Sequence, residues 1–291
     1  MSHWIDRIPS SLIMESLRLM RVDRPIGTWL LMWPSLWGLI AAQPGVLNWP
    51  LLLIFIVGAF IMRSAGCVIN DIADRKFDPH VARTKDRPLA AGRISLTSAV
   101  ILLVLLLFIA FMLAMQLNIF ALKLCFGGAF LAVTYPFTKR YIQLPQFYMG
   151  AAFGWGVIIA WGAAAQSVTT EAWIIFAATL TWAAGYDTIY AMIDREDDLK
   201  IGVKSTAILF GRFDLFAVGL LYILTLALLA WAGFRLNLFV LFNLALLLAG
   251  IQMAWQIWNI RDYPKEKFLE TFLSNKWVGL IIFCGFLLGG V

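Results

Sequence analysis

The stretch "PLLLIFIVGAFIMRSAGCVINDIADRKFD", residues 50–78, decides the fold because a long apolar run ends directly in a cluster of acids. Residues 50–69 have the length of about 20 residues that a helix needs to span a bilayer. The whole chain is similar in character, since 62% of its residues are hydrophobic and only 14% are charged. We therefore predict an all-α, polytopic membrane protein whose helices form a bundle in the lipid bilayer.

Apolar windows between charges or Pro and Gly breaks predict nine transmembrane helices in a single integral-membrane domain, residues 1–291. The predicted spans are residues 26–42, 50–69, 97–115, 118–136, 146–165, 171–190, 212–234, 236–258 and 273–291.

The N-terminal segment, residues 1–25, contains four arginines and no compact apolar core followed by a small-residue cleavage site. We expect a cytoplasmic lead-in here and not a removable signal peptide. Ile13, Leu17 and Met20 recur at helical spacing, which is typical of a short helix in the membrane interface. An ordinary solvated segment is the alternative.

The distribution of basic residues predicts the orientation. If nine spans alternate, all of the 23 Lys and Arg except Arg63, Lys123 and Arg235 fall on one side: in the N-terminal segment, in loops or, for Arg212 and Lys276, at the span ends next to those loops. Because Lys and Arg are retained in the cytoplasm, this side should be cytoplasmic and the C-terminus should lie opposite. We expect an integral protein of the inner, or cytoplasmic, membrane.

The retention of Lys and Arg in the cytoplasm does not explain the acidic residues, which recur at helical spacing in two places. Asn70, Asp74 and Asp78 stand at i, i+4 and i+8, so a continuing helix would place them on one face. A second set, Asp187, Asp194 and Asp198, stands at i, i+7 and i+11 of another predicted helix. Shifting the sequence by 124 residues superposes the first two residues of the first set on the last two of the second, which indicates a parallel internal repeat.

Two such acidic stripes facing each other would form one anionic mouth on the cytoplasmic side. Carboxylates this close together repel and lose hydration, so a cation should sit among them. An all-oxygen donor set suits Mg²⁺ or Mn²⁺. Six basic residues could hold the oxygens of a diphosphate, namely Arg83, Arg87, Lys139, Arg140, Lys200 and Lys204. Loop salt bridges are the alternative interpretation. A diphosphate bridged to these acids by Mg²⁺, above an apolar bundle, suggests a substrate with an anionic head and a hydrocarbon tail. Polyprenyl diphosphates fit this description.

Five stretches of the chain closely resemble the UbiA-type intramembrane prenyltransferases, within them the branch that acts on 4-hydroxybenzoate. They are "RVDRPIGTWLLMWPSLWGL", "MRSAGCVINDIADRKFDPHVARTKDRPLAAG", "YPFTKRYIQLPQ", "GAAFGWG" and "YDTIYAMIDREDDLKIGVKSTAILFG". The second stretch is the most specific, because its Asn, Asp and Arg residues stand at fixed offsets.

The resemblance implies a nine-helix bundle with its active site open to the cytoplasm. It implies Mg²⁺-dependent transfer of a polyprenyl group from polyprenyl diphosphate to the carbon ortho to the hydroxyl of 4-hydroxybenzoate, in ubiquinone biosynthesis. Asn70 and Asp74 would hold one Mg²⁺, and Asp194 and Asp198 the other. The supporting acids would be Asp71, Asp78 and Asp187. No nucleic acid and no obligatory protein partner is expected.

Several basic residues are candidates for binding the substrates. For the diphosphate the candidates are Arg83, Arg87, Arg140, Lys200 and Lys204. For the carboxylate of the aromatic acid they are Arg63 and Arg24. Arg63 lies in an apolar span, where an unpaired guanidinium is costly, so pairing with an acid is its alternative role. Arg24 begins the first span, where anchoring in the membrane interface is the alternative.

Other functions remain open at this point. A related prenyltransferase could use a naphthoate acceptor, since naphthoate is also a carboxylated phenol. A transporter of divalent cations or protons would place its ionisable groups near the bilayer midplane, whereas these lie at span ends. A phospho-sugar transferase would need a nucleotide site, and no Gly-rich phosphate loop occurs.

Overall fold

The computed structural model describes residues 11–76, 78–80, 84–138, 141–142, 144–202 and 204–290, with the side chains of 80, 137, 196–198, 200 and 201 outside the description. In these ranges the regular elements are all helical. The α-helices are α1 Ser11–Leu19, α2 Ile26–Ala42, α3 Trp49–Asp74, α4 Leu96–Ala114, α5 Ile119–Thr138, α6 Pro145–Ala165, α7 Thr170–Ile201, α8 Thr206–Phe210, α9 Asp214–Arg235, α10 Val240–Asn259 and α11 Lys265–Gly289. Short 3₁₀ turns cover Asp78–His80 and Gly211–Phe213.

Each of the nine predicted spans coincides with one of these helices, α2 to α7 and α9 to α11. Three helices extend well beyond the predicted spans: α3 continues to Asp74, α7 continues to Ile201, and α11 already begins at Lys265. Charged and polar residues ended the apolar windows, but such residues do not break a helix, since the large penalties in a helix interior belong to Gly and Pro. The acidic residues Asp71 and Asp74 on α3, and Asp187, Asp194 and Asp198 on α7, therefore lie within the C-terminal parts of long helices.

Among the described residues, seven helices are long and apolar enough to cross a membrane, if Thr206–Arg235 is counted as one. The apolar helix α2 is shorter, with 17 residues. The all-α, polytopic class is thus confirmed, and the number of nine spans stays a prediction.

The chain divides into two compact units. The first comprises Met1–Thr28 and Ile56–Gln116, and the second comprises Trp29–Phe55 and Leu117–Val291. The single integral-membrane domain stays a prediction.

The first unit is held by apolar contacts among α1, α3, α4 and the segment before α4. Its core residues are Leu19, Ile61, Ala65, Val68, Ile94, Ala99 and Leu106. Within the lead-in, Ser11–Leu19 is helical, as the spacing predicted, but Ile13 is exposed and the buried residues of α1 are Glu15 and Leu19. Glu15 can be buried because Arg18 and Arg93 both pair with its carboxylate, at 2.7 and 3.0 Å.

In the second unit, glycines allow helices to approach closely. A Cβ on Gly150 would lie 2.8 Å from the carbonyl oxygen of Leu180 in α7, and one on Gly154 would lie 3.1 Å from the ring of Phe176. The tryptophans of α2 also serve packing in this unit, since the ring centroids of Trp37 and Trp182 are 5.0 Å apart. These contacts fix α2 and α7 against their neighbours, and α7 carries the second acidic set.

Candidate active site

The last two turns of α3 carry the first acidic set. Asn70 and Asp74 are one turn apart in this helix and so share a face, as predicted. Asp71 and Asp74 are buried, with exposed fractions of 1% and 4%. The prediction that Asp78 continues the same face is wrong, because α3 ends at Asp74 and Asp78 begins a 3₁₀ turn. Pro79 lacks the N–H that a continuing helix would need at this point.

Asp71 is the centre of a network of ion pairs. Arg21 donates from Nη2 to both of its carboxylate oxygens, at 3.0 Å each. Arg87 donates from Nη1 to Asp71 at 3.1 Å and to Asp78 at 3.0 Å. Two guanidinium groups neutralise two carboxylates here, so the network adds no net negative charge beside Asp74.

The network changes the interpretation of two residues. Arg87 was predicted to contact the diphosphate, and in the structure one of its terminal nitrogens links Asp71 to Asp78. Arg21 was not identified from the sequence, where it counted only toward membrane orientation. A buried acid such as Asp71 needs a counter-charge, and that requirement was the signal for an arginine partner.

The two arginines predicted to bind the aromatic acid have different surroundings. The side chain of Arg24 is 76% exposed and lies 3.6 Å from Asp23. Arg63 is half-buried in α3, and its guanidinium lies against the first turn of α2. A Cβ on Gly27 would come within 2.6 Å of the Cζ atom of Arg63. The absence of a side chain at Gly27 therefore makes the space in which this guanidinium lies.

The second acidic set lies entirely on α7, which is a single helix of 32 residues. At about 100° per residue, positions 187, 194 and 198 fall within about 40° of one another around the helix. Asp187 and Asp194 are half-buried. The side chains of Asp198 and Lys200, which were predicted to belong to the site, lie outside the described residues, as do Arg83, Lys139 and Arg140. The predicted helical stripe on α7 is confirmed at the level of the backbone.

Lys204 was predicted to contact the diphosphate, and its Nζ donates to the carbonyl oxygen of Tyr141 at 3.1 Å. The backbone N–H of Thr206 donates to Oε1 of Gln146 at 3.0 Å, and the hydroxyls of Thr206 and Thr188 are 2.6 Å apart. These contacts hold the connection after α7 to the start of α6. No sequence pattern indicates these contacts, because each joins positions far apart in the chain.

A further cluster surrounds Asp214 at the start of α9. Its side chain is fully buried and pairs with Arg195 of α7. Tyr263, in the turn before α11, donates its hydroxyl to Oδ1 of Asp214 at 2.6 Å. Burial, together with the adjacent carboxylate, raises the pKa of Tyr263 to about 12. This phenol therefore remains a donor throughout the physiological pH range.

Metal ligands were predicted in two pairs, and the described residues contain no group of three or more His, Cys, Asp and Glu that could hold a metal ion. Asn70 with Asp74, and Asp194 with Asp198, would each supply only two protein ligands. Mg²⁺ commonly binds through one or two carboxylates and completes its coordination with water and substrate phosphates. A pair of oxygen ligands at a helix end thus fits Mg²⁺, and it does not fit a structural zinc site.

The all-α fold, with its apolar helices and with acids and arginines at helix ends, defines an integral membrane protein. Residues 31–287 match the model of the UbiA prenyltransferase family, and the chain belongs to this family. The resemblance indicated by the motifs is confirmed.

Two bacterial relatives match nearly the full length of the chain. A 4-hydroxybenzoate octaprenyltransferase of Chromohalobacter salexigens is 50% identical, with 95% of this chain and 94% of the relative aligned. A 4-hydroxybenzoate octaprenyltransferase of Tolumonas auensis is 51% identical, with 93% of this chain and 95% of the relative aligned.

Solved structures show the same fold. A UbiA homolog from Aeropyrum pernix K1 superposes with a TM-score of 0.78 at 26% identity, covering 89% of this chain and 96% of the homolog. A UbiA homolog from Archaeoglobus fulgidus, solved bound to GPP and Mg²⁺, superposes with a TM-score of 0.66 at 17% identity, covering 92% and 99% of the two chains.

Proposed function

We propose that this protein transfers a polyprenyl group from polyprenyl diphosphate to the ring carbon ortho to the hydroxyl of 4-hydroxybenzoate, releasing diphosphate, in ubiquinone biosynthesis. The observation that carries the proposal is the identity of 50% and 51% to near full-length relatives that bear this activity in their names. The acids and arginines at the end of α3 supply the groups that such a reaction requires.

Each acidic pair is proposed to hold one Mg²⁺, through Asn70 and Asp74 on α3 and through Asp194 and Asp198 on α7. The metal would neutralise the diphosphate and favour its departure. The placement of Asn70 and Asp74 one turn apart on α3 supports this assignment, because their two oxygen ligands share one face of the helix. The GPP and Mg²⁺ bound to the Archaeoglobus fulgidus homolog support the choice of metal.

The supporting acids have a separate task. Arg21 and Arg87 fix Asp71 and Asp78, so these two acids stiffen the end of α3 around Asp74. Asp187 extends the stripe of α7 toward the membrane interior. The diphosphate is proposed to contact the basic segments after α3, α5 and α7, with Arg83, Arg87, Arg140, Lys200 and Lys204 as the candidate residues.

The reaction itself requires little acid or base catalysis. When the C–O bond to the diphosphate breaks, the allylic carbon becomes electron-poor, and the ring carbon ortho to the phenol attacks it and then loses its proton. Trp182, Tyr186 and Tyr190 precede Asp194 on α7 at intervals of four residues, and the first two pack edge to face at 5.1 Å. Trp182 and Tyr186 are fully buried and pack against other side chains, whereas Tyr190 is half-buried, so the ring of Tyr190 is the one that can stabilise the cationic carbon. The apolar helices exclude water.

Arg63 is proposed to bind the carboxylate of 4-hydroxybenzoate. A substitution at Gly27 tests this role, because Gly27 lies against the Arg63 guanidinium. The change Gly27→Ala places a methyl group where the Arg63 guanidinium lies, so the guanidinium must move. We expect the KM for 4-hydroxybenzoate to rise about tenfold or more, with a much smaller change in the KM for polyprenyl diphosphate. Steady-state kinetics with each substrate varied in turn measure the difference.

The matched control is Gly66→Ala in the same helix as Arg63. A Cβ on Gly66 meets no atom within 4 Å, so this variant should behave as the wild type. Equal effects of Gly27→Ala on both substrates would contradict the carboxylate role of Arg63 and favour its structural pairing.

The proposed orientation places the N-terminus and the basic loops on the cytoplasmic side of the inner membrane, and the C-terminus opposite. The distribution of Lys and Arg supports it.

The acceptor is tested by incubating membranes that contain the protein with a polyprenyl diphosphate, Mg²⁺ and either radiolabelled 4-hydroxybenzoate or a radiolabelled hydroxynaphthoate. We expect label from 4-hydroxybenzoate to enter the organic phase at a rate at least about ten times that from the naphthoate. Faster labelling from the naphthoate would support prenyl transfer but contradict 4-hydroxybenzoate as the acceptor.

A further inference from the structure

A cluster outside the acidic pairs connects α7 to two other segments of the second unit. Asp214 accepts three hydrogen bonds: from Arg195 of α7, from the hydroxyl of Tyr263 at 2.6 Å, and from the backbone N–H of Leu215 at 2.6 Å. A fully buried carboxylate is costly unless donors surround it, so the position of Asp214 depends on these partners.

The partner on α7 lies within the acidic set. Arg195 directly follows Asp194 and precedes Asp198 by three residues. At about 100° per residue, positions 194 and 198 lie on the same side of position 195, rotated from it by about 100° and about 60°. When the Arg195 side chain pairs with Asp214 at the start of α9, the rotation of the α7 backbone at positions 194 and 198 is therefore set.

The cluster acts where apolar packing becomes weaker. Ala191 and Met192 are buried, whereas Asp194 and Arg195 are only half-buried, and Leu199 is exposed. Apolar contacts thus orient α7 up to Met192, and beyond it the ion pair of Arg195 with Asp214 is a strong directional contact among the described side chains. Tyr263 adds a second element, because it brings the turn before α11 to the same carboxylate.

We propose that Arg195, Asp214 and Tyr263 form a clamp that sets the rotation of the last turns of α7 and so positions Asp194 and Asp198 for Mg²⁺ binding. The inference rests on the proposed function, and it assigns all three as positioning residues. Mg²⁺ demands near-ideal octahedral geometry, and displacements of about 1 Å in a catalytic site can cost about a hundredfold in rate. A clamp at the adjacent residue is well placed to limit such displacement.

The test compares Asp214→Asn and Tyr263→Phe with Asp262→Asn in the full-length protein in detergent. Asp262 precedes Tyr263 in the same turn, and its side chain is 84% exposed, so its substitution is the matched control for loss of a charge. Two quantities are measured: the binding of Mn²⁺ in the presence of inorganic diphosphate, by electron paramagnetic resonance, and the half-saturating Mg²⁺ concentration for prenyl transfer.

We expect Asp214→Asn to weaken Mn²⁺ binding and raise the half-saturating Mg²⁺ concentration by about tenfold, and Tyr263→Phe by about threefold. Asp262→Asn should remain within about twofold of the wild type. If Asp214→Asn does not fold, Tyr263→Phe decides the question, because it removes one hydrogen bond and keeps the ring. Unchanged metal binding in a folded Asp214→Asn, or in Tyr263→Phe where that variant decides, would overturn the clamp.

The two proposals fail differently. A wild type that binds Mn²⁺, loses affinity on Asp214→Asn and transfers no prenyl group would support the clamp and contradict the function. If the wild type and Asp214→Asn both transfer prenyl groups with the same Mg²⁺ dependence, the function is supported and the clamp is overturned.

Discussion

Asp74→Asn is expected to reduce prenyl transfer by about 10²- to 10³-fold at saturating substrates, because it removes a negative charge where Mg²⁺ is proposed to bind. Asn has nearly the same shape as Asp, so the end of α3 should keep its structure. Asp194→Asn on α7 should have an effect of the same size. Initial rates at several Mg²⁺ concentrations measure both variants, and a partial recovery at high Mg²⁺ is expected for each.

The control for Asp74→Asn is Asp86→Asn, which removes an exposed carboxylate from the segment between α3 and α4. It should retain nearly full activity. If Asp74→Asn kept more than about a tenth of the wild-type rate with an unchanged Mg²⁺ dependence, Asp74 would not be a metal ligand.

Asp71→Asn is expected to act through stability. The substitution leaves Arg21 and Arg87 without the carboxylate that both of them pair with. Loss of one partner of a buried pair costs about 3–5 kcal/mol, and because both arginines are partly exposed we expect about 2–3 kcal/mol here. Thermal unfolding in detergent should show a decrease in Tm of several degrees.

A double-mutant cycle separates this network from an unrelated destabilisation. Arg21→Gln combined with Asp71→Asn should cost clearly less than the sum of the two single changes, because each single change already breaks the contact. Asp78→Asn should cost less than Asp71→Asn, since among the described side chains Asp78 pairs with Arg87, whereas Asp71 pairs with both Arg21 and Arg87. Additive costs for Arg21 and Asp71 would show that their contact does not stabilise the protein.

The helices could be predicted from the sequence because a membrane helix needs a long apolar run, and such runs are visible without any knowledge of tertiary contacts. Their ends were harder. The predicted apolar windows ended at Ile69 and Tyr190. The helices continue to Asp74 and Ile201, because a charged residue does not break a helix. The opposite error occurred at Asp78, where regular spacing suggested a continuing helix and Pro79 prevents it.

The acids could be identified from their spacing and from the family motif, but their partners could not. Arg21 and Asp71 are 50 residues apart, and Arg195 and Asp214 belong to different helices. A count of basic residues for orientation treats each charge alone, so it contains no information about pairing. The structure shows which charges neutralise each other, and it assigns Arg21 and Asp214 roles that the motifs do not give.

The most direct test of the account is the dependence of prenyl transfer on Mg²⁺ in the purified wild-type protein. The protein is treated with EDTA, and the transfer from polyprenyl diphosphate to radiolabelled 4-hydroxybenzoate is measured before and after Mg²⁺ is restored. We predict no labelled lipid product without the metal and full recovery with it. Equal product formation in the presence of excess EDTA would contradict the proposed role of the two acidic pairs.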